Sequence, residues 1–276
     1  MLIDAHQHFW RPDRADYRWL TPAIANLHRD FLPADLEPLL AAHGIARTIL
    51  VQAAPTVAET YFLLGLARAS GFVAGVVGWI PLGDPRAATM LTEMARDPLL
   101  VGIRPMLQDV ADDQWIAHPG NAAALARCAD LGLAFDALVR PAQLPALAAM
   151  ARAQPTLSIV VNHAGKPSIG HDLAAWRGHM AALAALPNIW CKLSGLATEI
   201  EGPISLDSVR PVVDSLLDLF GPDRLIWGSD WPFATLAISY HDWREWTDRL
   251  LAPLSARERA AILGGNARIF YRMGDE

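Results

Sequence analysis

A closed (β/α)8 barrel of the TIM type, one domain over residues 1–276, is predicted by three observations on the sequence. Eight short, near-continuously apolar runs recur, each followed by a longer Ala/Leu-rich stretch of helical character. That pattern implies parallel strands covered on both faces. The chain has 276 residues, and such a barrel typically takes about 250. Neither GxGxxG nor GxxxxGKS/T follows any of the runs, which weakens the rival open sheet that binds nucleotides.

In chain order the strands are expected at 2–8, 48–52, 74–80, 101–106, 134–139, 157–163, 189–193 and 225–230. A first helix fits 34–42. Thr56-Val57-Ala58-Glu59 reads as a capping box ahead of a helix over 61–69. Asp84-Pro85 reads as an N-cap followed by proline at the first helical position. Further helices fit 121–131, 144–153, 173–186 and 208–220, and Ser255-Ala256-Arg257-Glu258 opens a last one towards Arg268. Gly44, Gly71, Gly132 and Gly221 stand where helices should stop. The longest irregular segment, 9–32, follows the first strand and holds Trp10, Arg11, Arg14, Tyr17, Arg18 and Trp19. In a barrel it lies over the C-terminal face, where active sites sit; its aromatic residues equally suit packing the loop down.

Hydrophobic residues make up 53% of the chain and charged ones 19%, ample core and a poor fit to disorder. The net charge is −6 with no Lys/Arg run, so neither nucleic acid nor an anionic membrane is an expected partner. The longest apolar stretch, 72–83, is too short to span a bilayer. Met-Leu-Ile-Asp-Ala-His lacks the basic start of a signal peptide. Cys128 and Cys191 form no CxxC pair; a reduced, cytoplasmic setting is expected, as a monomer or small homo-oligomer.

The residues that suit chemistry stand at strand ends. His6 and His8 end the first strand two apart, hence on one face. Neutral imidazole is a common ligand for zinc and similar ions, although a lone HxH suits a structural pair as well. His163 ends the sixth strand in Asn162-His163-Ala164-Gly165-Lys166-Pro167, and Asp230 ends the eighth in Trp227-Gly228-Ser229-Asp230-Trp231-Pro232. Barrel closure brings all these ends to one rim, where a carboxylate beside imidazoles can deprotonate water with or without a metal ion. Arg104 ends the fourth strand and Lys192 the seventh. Charges in such apolar strands need a partner, Asp136 for instance, or a role in holding a carbonyl or a developing oxyanion. Gln52, Trp79, Trp10 and Trp231 are further pocket candidates.

The ordered set His6-Gln7-His8-Phe9-Trp10, Val161-Asn162-His163-Ala164-Gly165-Lys166-Pro167, Cys191-Lys192-Leu193-Ser194-Gly195-Leu196, Gly228-Ser229-Asp230-Trp231-Pro232 and Gly264-Gly265-Asn266-Ala267-Arg268 resembles the lactonase branch of the amidohydrolase superfamily (amidohydrolase-related family 2). The resemblance runs from first strand to last helix. It implies a barrel that hydrolyses lactones of sugar acids, such as those of fuconic or rhamnonic acid, or more distantly pyrone dicarboxylates. It implies Asp230 as the base that activates water, with His6, His8 and His163 orienting that water or joining Asp230 around at most one divalent ion, zinc for example, not necessarily needed for activity. Arg104 and Lys192 would face the substrate. Many metal-dependent relatives carry a bridging carboxylated lysine at strand four or five. Here those strands offer Arg104 and Phe135-Asp136-Ala137-Leu138-Val139, which argues against a two-metal centre. The rival readings are a metal-dependent decarboxylase, a pyrone-dicarboxylate lactonase, and a non-catalytic barrel that binds sugar acids. The scarcity of arginines at the strand ends favours a neutral sugar lactone over a dicarboxylate.

Overall fold

Eight parallel strands form the expected barrel. They are β1 (Leu2–Gln7), β2 (Ile45–Val51), β3 (Val73–Gly78), β4 (Leu100–Ile103), β5 (Ala134–Ala137), β6 (Ile159–Val161), β7 (Ile189–Leu193) and β8 (Leu225–Trp227), hydrogen-bonded in sequence order. The structure is a computed structural model and describes residues 1–274; residues 275 and 276 of the expected domain lie outside the described residues. The seam between first and last strands is closed just past β8. His8 N donates to Trp231 O (2.7 Å) and Asp230 N to His6 O (2.8 Å).

Helices follow every strand: α1 (Pro33–His43), α2 (Val57–Ala69), α3 (Ala87–Met94), α4 (Ala122–Asp130), α5 (Leu144–Ala153), α6 (Ala174–Ala184), α7 (Leu206–Phe220) and α8 (Tyr240–Leu250). The expected last helix is split into α9 (Ala256–Ala260) and α10 (Asn266–Phe270) by a π-helical turn. There Gly264 presses on the amino terminus, and a Cβ on it would lie 2.3 Å from Met1 O. No helix among the described residues is long and apolar enough to cross a membrane.

Two apolar layers hold the barrel. Its lumen is filled by Ile3, Ala5, Ile49, Val51, Val77 and Val160 among others, and is plugged at its foot by Phe270 and Tyr271. A larger shell joins the outer strand faces to the helices. β1 carries an irregularity that decides what its residues face. Three steps from Asp4 to Gln7 pair with two steps from Thr48 to Leu50 on β2, so one residue is extra. Asp4 therefore faces outward to Tyr240 Oη of α8 (3.1 Å), while His6 turns inward, 3.3 Å from Lys192 Nζ.

Every strand except β7 ends before the sequence suggests, among them β4 at Ile103, β6 at Val161 and β8 at Trp227. The residues beyond leave the ladder because they turn into the mouth of the barrel. His163 (φ 49°) and Asp230 (φ 59°) both adopt the left-handed conformation, which costs a non-glycine residue on the order of 1–3 kcal/mol and collects at functional sites. The capping box at α2 is only half formed. Thr56 accepts from Glu59 N (3.0 Å), but the Glu59 carboxylate reaches past Thr56 to Ala53 N (2.9 Å) and Ala54 N (2.8 Å).

Candidate active site

His6, His8, His163 and Asp230 meet at the mouth of the barrel, and all are buried. Asp230 Oδ1 lies 3.2 Å from His8 Nε2, 3.6 Å from His6 Nε2 and 3.8 Å from His163 Nε2. Two glycines make room for this. A Cβ on Gly228 would lie 2.6 Å from His6 Cβ, and one on Gly195 (φ 63°) would lie 2.4 Å from His163 Nδ1 and 3.1 Å from Asp230 Oδ2. Ser194 Oγ, 3.0 Å from His163 Nδ1, steadies that ring.

The charges are set by burial and by each other. Burial holds the His163 imidazole down at about 3, against the pull of Asp230. Burial lowers His8 as well. His6 is lowered further, by burial and then by Lys192, with Arg104 also contributing; its ring lies 3.3 Å from Lys192 Nζ and 3.3 Å from Arg104 Nη1. Burial pushes Asp230 up, but His163, His8 and Arg104 outweigh it and leave the carboxyl below the ordinary aspartate value. At neutral pH the site is thus an ionised carboxylate among three uncharged imidazoles.

This donor set fits a divalent ion. His8 Nδ1 stands 2.7 Å from Val51 O and must donate its proton there. The neutral ring then aims a lone pair from Nε2 at a carboxylate oxygen 3.2 Å away, an arrangement a cation between them satisfies. His6, His8 and Asp230 offer ligand atoms all within 4.8 Å of one another, and the separations of 3.6 and 3.2 Å from Asp230 Oδ1 to the two imidazoles are compatible with bonds of about 2.0–2.2 Å to one zinc-sized ion. His163 stands at the edge of that trio.

A cavity of about 320 Å³ opens above Asp230, lined by His8, His163, Arg104 and Trp10 from the expected set. Trp10 offers only its ring, since its indole N–H donates to Leu27 O and Arg29 O (both 3.1 Å). Lys192, expected at the substrate, does not line the cavity. It is fully buried beneath His6 and paired with Asp136 (2.5 Å), whose carboxylate also accepts from Tyr271 Oη (2.9 Å) and Asn162 Nδ2 (3.0 Å). Strand parity gives its direction correctly, but it lies one layer too deep. Gln52 is also a supporting residue: its side-chain Nε2 donates to Arg104 O (2.7 Å), and its main-chain carbonyl accepts from Arg104 Nη2. Trp79 does not line the cavity; its main-chain N donates to Thr60 Oγ1 (2.8 Å). Trp231 packs edge-on against Phe9 and Phe31 instead.

The cavity also has walls that the strand-end reading passed over: Trp19, Ile24, Gln108, Lys166, Glu199 and Phe233. Most come from loops beyond the strand ends, and their signal was place alone. Lys166 lies inside the Asn162–Pro167 motif and Phe233 directly follows Pro232.

The family model described as Amidohydrolase matches residues 3–273. The chain is 48% identical over 279 residues to an L-fucono-1,5-lactonase of Burkholderia ambifaria, covering 98% of this chain and 95% of that one. An L-fucono-1,5-lactonase of Burkholderia multivorans is 39% identical over 99% of this chain and 96% of its own. A crystal structure of an amidohydrolase from Burkholderia multivorans with bound zinc superposes with a TM-score of 0.94 at 39% identity, covering 99% and 100% of the two chains. By its motifs, its barrel and this match over nearly its whole length, the chain belongs to the amidohydrolase family.

Proposed function

We propose that this protein hydrolyses the ring ester of a sugar-acid lactone, an aldonolactone, with Asp230 as the base that activates water. The observation that carries this reading is Asp230 Oδ1 at 3.2, 3.6 and 3.8 Å from three imidazole nitrogens under a cavity of about 320 Å³. The similarity to two L-fucono-1,5-lactonases supports the substrate class.

Asp230 takes a proton from water as the water oxygen bonds to the ring carbonyl carbon. Negative charge develops on the carbonyl oxygen, and Arg104, which lines the cavity, stabilises it. Collapse breaks the bond to the ring oxygen, which leaves as a hydroxyl with the proton held by Asp230. His8 and His163 orient the water. A divalent ion held by His6, His8 and Asp230, with zinc the leading candidate, supplies a more acidic water and polarises the carbonyl when bound. The chain has two lysines; Lys192 is committed to Asp136 and Lys166 to Glu199 (2.7 Å), so neither is free to bridge a second ion. We expect at most one ion per chain by elemental analysis, and hydrolysis that survives chelation at least in part. Two ions per chain would contradict this.

A pyrone dicarboxylate needs two or more cations for its carboxylates. The cavity offers Arg104, matched by Asp230, and Lys166, already paired with Glu199. The test compares kcat/KM on L-fuconolactone and on 2-pyrone-4,6-dicarboxylate. We expect turnover of the sugar lactone and little of the pyrone; a clear preference for the pyrone overturns the assignment.

A further inference from the structure

The cavity over Asp230 has two unlike walls. On the side of β8 and β1, Trp19 stands edge-on to Trp10 (5.2 Å) and to Phe233 (5.8 Å). On the side of β6 and β7, Lys166 Nζ and Glu199 Oε1 are joined at 2.7 Å, each about one-fifth exposed (22% and 19%). Both residues also line a second, outer groove of about 580 Å³, so the pair stands at the step between the site and solvent.

The pair is placed by the machinery of the site. Residues His163, Ala164, Gly165 and Lys166 run left-handed (φ 49°, 53°, 68° and 54°), and Lys166 N donates to His163 O (2.9 Å). Trp176 Nε1 clamps the turn through Ala164 O (2.8 Å). The turn that aims His163 at Asp230 therefore also fixes Lys166. Glu199 comes from the loop behind Gly195, where Thr198 Oγ1 donates to Gly195 O (2.8 Å).

We propose that the Lys166–Glu199 pair is the specificity-determining contact for the hydroxyls of the lactone, and that its neutrality lets the anionic product leave. The inference rests on the lactonase reading. An ammonium carries three donors and a carboxylate about four lone-pair sites, so one mutual contact leaves both groups with capacity facing the cavity. Neighbouring sugar hydroxyls suit it, one accepting from Lys166 and the next donating to Glu199. The apolar wall opposite takes the C–H face of the ring. Hydrolysis turns a neutral ring into an aldonate. An unmatched lysine on the exit side would retain that anion, whereas Glu199 cancels the charge.

The test uses Lys166→Met and Glu199→Gln with L-fuconolactone, with δ-valerolactone as a ring ester without hydroxyls, and with the open-chain fuconate as inhibitor. Losing one charge-assisted hydrogen bond should lower the preference for fuconolactone over valerolactone, as a ratio of kcat/KM, on the order of 10–100-fold in Lys166→Met. Glu199→Gln should bind fuconate more tightly, with an inhibition constant lower by about tenfold, while Lys166→Met shifts it the other way. A thermal midpoint close to wild type reports that each variant is folded. Equal losses on both lactones, or fuconate inhibition unmoved in Glu199→Gln, would overturn the proposal. Wild-type protein that opens neither lactone would instead sink the lactonase reading beneath it.

Discussion

Asp230 is the base of the proposed reaction, and its backbone makes it a clean target. Asparagine tolerates the left-handed conformation that Asp230 adopts (φ 59°), and it keeps the side chain's shape. It cannot take a proton from water. Asp230→Asn should lower kcat by on the order of 10²–10⁴ with its thermal midpoint close to wild type; near-normal turnover would remove Asp230 from the base role. At this scale the sequence was most legible where a motif sits at a strand end. His6, His8, His163 and Asp230 converge as expected. Lys192 and Gln52 were misplaced because parity tells which way a side chain points and nothing of how far it stands from the cavity. Each instead supports a residue above it.

At the scale of elements, Glu59 shows how a local motif is redirected by tertiary structure. Burial pushes its carboxyl up to about 8, against the lowering pull of the Ala53 and Ala54 amides. Its folded value exceeds the ordinary one of 4.5, so the unfolded chain releases this proton first. The contribution to stability is therefore full below pH 4.5, falls as pH rises, and is gone above about 8. Glu59→Gln should flatten that fall. Urea midpoints at several pH values from 4.5 to 9 check it, and an unchanged slope would show that Glu59 is not its source. Every expected strand exists, yet their ends and the extra residue of β1 were hidden in the sequence. Hydrophobic runs mark where a strand is apolar, and do not show where its neighbour stops pairing.

For the whole molecule, the alternation of strands and helices was enough to give the barrel, since its length and repeat number leave few other closures. Of the polar column in its lumen, the sequence offered Asp136 as a partner for a strand-end cation and nothing of the rest. Tyr271, from the last turn of the chain, reaches Asp136 (2.9 Å), Asp136 holds Lys192 (2.5 Å), and Lys192 supports His6 (3.3 Å). Lys192→Met would leave the Asp136 carboxylate buried without its cation. A loss of about 3–5 kcal/mol of stability is expected, read as a lower denaturant midpoint; a midpoint unchanged from wild type would show that Asp136 does not depend on the lysine. The seam between the two ends of the sheet has a consequence for how the protein comes to work. His6 lies on the first strand with His8 just past its end, and Asp230 lies three residues beyond the last strand; hydrogen bonds across the closure hold them together. A nascent or refolding chain can gain most of its strands and helices while those residues remain strangers, so recovery of activity times the moment when the two chain ends meet.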